Sequence, residues 1–148
     1  MLLAGLPLSL VLAFAVSDIA RLLKRRLSER RGSLTAALDD ALARLASAAR
    51  AGDASASAGA AERALFVAIE RATGLKGRGV LKTALASTLA KAQVPLELAQ
   101  QAAAELGRCD ELRFAGDALD LPAFAQQVRE TCEKLGQQPP PPAKVGPA

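Results

Sequence analysis

The chain has no histidine, no tryptophan and no tyrosine, and its only aromatic residues are four phenylalanines. Without histidine the commonest general base and the commonest metal ligand are both missing. Two cysteines alone do not make a zinc site, and a nucleophilic cysteine would lack its usual partner base. The acids form no paired catalytic set. Asp39–Asp40, Asp110–Glu111 and Asp117–Asp120 fall at helix ends or on solvated faces, where the macrodipole accounts for an acid such as Asp120 at a helix N-terminus. No catalytic residue, metal ligand or cofactor is expected, and the chain reads as a non-enzyme. Hydrophobic residues make up 51% of it, much of that alanine, while aromatics reach only 3%. That composition suits close-packed helices better than strands, which favour β-branched and aromatic residues. At 148 residues there is room for one domain and an appendage.

The net charge of +4 comes from a single block. "RLLKRRLSERR", residues 21–31, carries Arg21, Lys24, Arg25, Arg26, Arg30 and Arg31 against Glu29, a local charge of +5. Asp18 is the one charge before it, and from Gly32 onward 13 basic and 13 acidic residues cancel. A nucleic-acid-binding domain would spread its basic residues over a face, so that class is disfavoured. Ahead of the block, "LLAGLPLSLVLAFAVSDIA" is apolar until Asp18. A spanning helix needs about 20 such residues. A signal peptide would carry its basic residues first, and an interfacial helix would show a polar face. A transmembrane helix over residues 1–20 is therefore expected, with a basic juxtamembrane segment at 21–32. The positive-inside rule puts the N-terminus outside and the rest in the cytoplasm of a bacterial cell, as a single-pass inner-membrane protein. The six basic residues are the expected membrane-surface contacts, at about 1 kcal/mol each near anionic lipid.

Residues 33–136 predict an all-α cytoplasmic domain, a small bundle of about five short helices. Ser33 is a candidate cap for a helix with the stripe Leu34, Leu38, Ala41, Leu45 and Ala48. "AGDASASAGA", residues 51–60, reads as a connection. The next helix places Ala61, Leu65, Ile69 and Ala72 on one face and Gly74 at its C-cap. Leu81, Leu85, Thr88 or Leu89, and Ala92 mark another. Pro95 opens a helix carrying Leu98, Ala102, Leu106, Cys109 and Leu112, ending near Gly116. Asp120 caps the last, with Pro122 in its first turn and Leu121, Phe124, Val128, Cys132 and Leu135 inward. "QQPPPPAKVGPA", residues 137–148, cannot continue a helix and reads as a disordered proline-rich tail, with docking on an SH3-like groove as the lesser reading.

Both cysteines lie on apolar stripes, so they read as small buried hydrophobes, reduced in a cytoplasmic setting. The alternative is a thiol-based redox sensor using Cys109 or Cys132, whose mark would be thiols open to a maleimide. "GLKGRGVLKT", residues 74–83, has two glycines at phosphate-loop spacing. Val80 and Leu81 stand where that loop needs Lys and Ser or Thr, and no strand precedes it. It reads as an inter-helix loop whose Lys76, Arg78 and Lys82 could face a membrane or an acidic partner.

"LGRCDELRFAG", residues 106–116, is more specific. A helix with Cys109, Asp110, Arg113, Phe114 and Ala115, then a short loop and a last helix from Leu121 to Leu135, resembles the close of the cytoplasmic tail of BatD-type, aerotolerance-associated proteins. "ERALFVAIERATG" and "VPLELAQQAAAELGRCD" resemble the same tail, as does a span followed directly by arginines. The likeness covers most of residues 1–136. It implies a membrane scaffold or assembly factor of a stress or oxygen-tolerance system, encoded with MoxR-type AAA+ ATPases and von Willebrand A-domain proteins, which become the expected partners. The family's large extracytoplasmic β-domains would precede the span; this sequence starts at Met1 without them, either as a truncated chain or as a stand-alone anchor, so nothing of theirs carries over. Transglutaminase-like membrane proteins have a similar helical tail, which gives a second alternative, the regulatory tail of such an enzyme. Physically, Asp110 and Arg113 at i and i+3 pair for a few tenths of a kcal/mol, and Phe114 is expected to plug the bundle. Arg113, Phe114, Asp110, Lys76 and Arg78 are the candidate partner contacts.

Overall fold

Among the described residues, alanine-rich stretches with leucines at three- and four-residue spacing fold into five α-helices. They are α1 (Leu6–Arg50), α2 (Ala54–Thr73), α3 (Leu85–Lys91), α4 (Leu96–Ala115) and α5 (Leu121–Gly136), with short 3-10 turns at Gly77–Gly79 and Lys82–Ala84. The computed structural model describes residues 6–80, 82–115 and 120–139, with side chains from Val16 onward, Ala115 excepted. Among the described residues there is no strand. The described part of the chain is all-α, as the composition predicts. Leu81, Gly116 and the proline-rich residues 140–148 lie outside the described residues.

Two of the predicted boundaries differ. Ser33 is not a cap, because α1 runs unbroken through Gly32 and Ser33. A mid-helix glycine costs only about 1 kcal/mol relative to alanine, and the arginines, leucines and alanines around it propagate the helix. Residues 54–60 are not a connection either, but the first two turns of α2. Asp53 caps them, its Oδ1 accepting from the Ala56 N–H at 2.9 Å. Ser57 and Ala58 are buried there, so the small residues permit close packing where the composition suggests a loop.

The chain forms two compact units, Met1–Ser33 and Leu34–Ala148. In the first, residues 16–33 are exposed except for the half-buried Ser17. Among the described residues no helix is long and apolar enough to cross a membrane. From Asp18 onward charges recur at nearly every turn of α1, and that interrupts any apolar run. The predicted span falls mostly before Val16, beyond the described side chains, and residues 1–5 lie outside the described residues altogether.

The second unit holds the core. Leu38, Ala41 and Leu45 of α1 join Ala61, Leu65 and Ile69 of α2, and Leu85 and Leu89 of α3. Leu98, Ala102, Leu106, Cys109 and Leu112 of α4 and Phe124, Val128, Cys132 and Leu135 of α5 complete it. The stripe of α3 runs through Leu89 and leaves Thr88 at its edge. Helix α2 packs against both α4 and α5, and α3 packs on α4. The caps follow local chemistry. Gly74 sits at φ 74°, a left-handed position that glycine adopts without a Cβ penalty, and its N–H donates to the Glu70 carbonyl at 2.7 Å. Asp120 caps α5 by accepting from the Ala123 N–H at 3.3 Å, with Pro122 in the first turn.

Candidate functional site

The last turn of α4 carries the charged part of the motif. Asp110 Oδ2 lies 2.5 Å from Lys82 Nζ, and Asp110 Oδ1 lies 3.6 Å from Arg113 Nη1. The other end of the Arg113 guanidinium pairs with Glu62 Oε2 of α2. The chain Lys82–Asp110–Arg113–Glu62 thus joins the turn before α3, the end of α4 and the face of α2. All four side chains are partly exposed, so each pair contributes only about 0–1 kcal/mol, with a gain from forming a network. The i, i+3 pair was legible in the sequence. Glu62 was not, because the pair spans 51 positions and no local pattern announces it.

Phe114 does not plug the bundle. It is 89% exposed, the most exposed of the large apolar side chains described. The buried stripe of α4 runs Cys109, Leu112, and a residue two positions beyond Leu112 points about 200° away from it. The motif therefore presents an aromatic ring to solvent beside a fixed set of charges.

Lys76 and Arg78 form a separate group. They flank the buried Gly77 and, with Arg63 of α2, edge a shallow groove floored by Phe66 and Val67 and containing Glu70. Among the described residues no ion pair or hydrogen bond joins this group to Asp110 or Arg113. Arg63 was missed by sequence reading, although it follows Glu62 on the solvent side of the α2 stripe. A second cleft lies between α1 and α5, floored by Leu42, Leu45, Ala49 and Ala125 and edged by Arg50 and Arg129. The predicted membrane-surface residues Arg21, Lys24, Arg25, Arg26, Arg30 and Arg31 are all exposed on α1, where Arg25 pairs with Glu29 at 3.4 Å.

The interior offers little for chemistry. Cys109 and Cys132 are both free and buried. Burial pushes each thiol up to about 12, helped by Glu62 at Cys109 and by Glu105 at Cys132. Glu105 is the feature sequence reading missed outright. It is 2% exposed on the inner face of α4, with Oε1 2.6 Å from the Thr131 hydroxyl of α5. Gln101 donates to that hydroxyl at 3.0 Å, while Glu105 Oε2 has no hydrogen-bond partner. Burial raises the Glu105 carboxyl above its ordinary value, against the opposing pull of Thr131, Gln101, Arg108 and Lys134. A usable signal was present: position 105 falls on the stripe between Ala102 and Cys109. Among the described residues no cluster of cysteine and carboxylate side chains could hold a metal ion.

No protein-family model matches the sequence, and no curated protein and no solved structure does. The functional reading therefore rests on the surfaces themselves and on the short motif.

Proposed function

We propose that the chain is a membrane-anchored scaffold whose helical domain docks other proteins at the C-terminal end of α4, and that it is not an enzyme. The observation that carries this reading is the exposure of Phe114 next to the Glu62–Arg113–Asp110 charges. An exposed aromatic ring beside an arginine has the make-up of an interface hot spot, where aromatic residues and arginine dominate binding energy. The burial of both thiols favours docking over the redox-sensor alternative. The membrane role rests on the apolar stretch before Asp18 and on the basic block after it, with the helical domain on the cytoplasmic side of a bacterial inner membrane. By resemblance to BatD-type tails, the partners are a MoxR-type AAA+ ATPase and von Willebrand A-domain proteins. Lys76 and Arg78 supply a second, basic contact.

The test is capture of the tagged chain from detergent-solubilised native membranes, followed by identification of what comes with it. Phe114→Ala is the variant of choice, because an exposed ring leaves the fold intact when removed. Arg113→Glu would also break two ion pairs. Co-purification of an ATPase or A-domain protein, weakened at least tenfold by Phe114→Ala, is the expected outcome for a hot spot of about 2 kcal/mol. Recovery of the chain alone after crosslinking would refute the reading.

A further inference from the structure

Arg63, Phe66, Val67 and Glu70 recur at three- and four-residue spacing, so they share one face of α2. After Gly74 the turn carrying Lys76, Gly77 and Arg78 lies beside that face, and the two enclose a groove of about 600 Å³. Gly77 fixes the wall to the floor. A Cβ there would stand 2.8 Å from Phe66 Cδ1, so the bare backbone rests directly on the ring. Phe66 is 9% exposed and Val67 is half-buried, which makes the floor apolar and recessed. Arg63, Lys76 and Arg78 are exposed at the rim, and Glu70 is half-buried. Among the described residues none of these four charges has an ion pair or a side-chain hydrogen bond, whereas Arg44, Lys82 and Arg113 each pair with an acid.

We infer that this groove takes an acidic, extended segment of a partner protein. One apolar side chain of the segment sits on Phe66 and Val67, and carboxylates on either side of it meet Arg63, Lys76 and Arg78. The inference rests on the docking reading above and deepens it by naming the partner chemistry at the second, basic contact. From Arg63 to Glu70, α2 rises about 10 Å, the span of about three extended residues. Cations distributed over that length match a row of carboxylates better than a single phosphate. Basic clusters recognise acidic motifs in this way, and complementary charge sets orientation and partner choice. Glu70 decides against a phosphodiester. An ionised carboxylate only accepts hydrogen bonds. A peptide backbone supplies N–H donors, while the phosphodiester of a lipid or a nucleic acid has none to give and is repelled. The recessed floor argues the same way against a membrane. A surface that lies on lipid inserts apolar side chains that stand out from it, and here Phe66 is buried and Val67 half-buried.

The test measures fluorescence anisotropy of labelled pentapeptides with the full chain in a neutral detergent. The probe has one leucine between two pairs of aspartates, and its relatives carry lysines for the aspartates or serine for the leucine. The aspartate–leucine peptide is expected to bind about tenfold tighter than the lysine peptide and about fivefold tighter than the serine one. Arg63→Glu and Arg78→Glu, both at exposed sites, should each weaken it by about tenfold. Lys91→Glu, an exposed reversal on α3, and Phe114→Ala should leave it unchanged. An equal loss from Lys91→Glu would mean attraction to overall charge and overturn the inference. Displacement by inorganic phosphate or phosphatidylglycerol vesicles as effective as by unlabelled peptide would overturn the choice of a peptide. Self-association abolished by Arg78→Glu would assign the groove to a second copy of the chain and overturn it too. If no peptide binds while partners are still captured through Phe114, the groove falls and the docking reading stands. A chain recovered alone from membranes that still binds the aspartate–leucine peptide would remove the scaffold reading and leave the groove.

Discussion

Glu105 shows how one side chain sets a pH dependence. Its carboxyl is buried between α4 and α5 with one oxygen unpartnered, so the native state holds its proton more tightly than the unfolded chain does. For a group raised in this way, the stabilising contribution is complete below the unfolded glutamate value of 4.5 and is lost as pH rises through the folded value. Glu105→Gln keeps the shape and the acceptor for Thr131 and cannot ionise. It is expected to flatten this part of the pH profile and to leave the variant more stable than wild type at alkaline pH. Urea midpoints measured from about pH 4 to pH 8 check the sign. The cysteines make a second case at this scale. Burial pushes both thiols up to about 12, so at neutral pH they stay protonated. Neither Cys109 nor Cys132 should react with maleimide until the protein is unfolded, when both should. Rapid native-state labelling, read by mass spectrometry, would put the redox-sensor alternative ahead of the docking reading.

At the scale of the element, the turn after α2 is held by contact more than by backbone freedom. A Cβ on Gly77 would stand 2.8 Å from Phe66 Cδ1 and 3.2 Å from Cε1, closer than packed atoms approach. Gly77→Ala therefore forces the ring or the turn to move, and a loss of about 1 kcal/mol or more is expected, in the range seen for overpacked sites. Chemical denaturation checks it. The control is Gly79→Ala, where an added methyl would meet no heavy atom within 4 Å, so little change should follow. Nothing in "GLKGRG" says which glycine is crowded, because the crowding atom comes from α2. The start of α2 teaches a related lesson. Asp53 followed by alanines and serines is a capping signal that composition alone reads as a loop, and burial of Ser57 and Ala58 tips the segment into the helix.

For the whole molecule, the second unit contains every described member of the hydrophobic core, including Leu38, Ala41 and Leu45 from the later part of α1. Removal of residues 1–33 should leave a chain that is still helical and unfolds cooperatively. Cutting instead at residue 50 removes those three buried side chains and should abolish the transition. Loss of even one buried leucine typically costs about 2–5 kcal/mol, a large share of a small domain's stability. Circular dichroism during thermal unfolding distinguishes the two deletions.

The spacing of leucine, alanine and cysteine along the chain by itself determined the helical class, four of the buried stripes and the caps at Gly74 and Asp120. All of these depend on residues within a few positions of one another. The pairing of Arg113 with Glu62, the crowding at Gly77 and the bond between Glu105 and Thr131 were decided only by tertiary structure. Each depends on which helix arrives opposite, and helical periodicity says which face is apolar without saying what covers it.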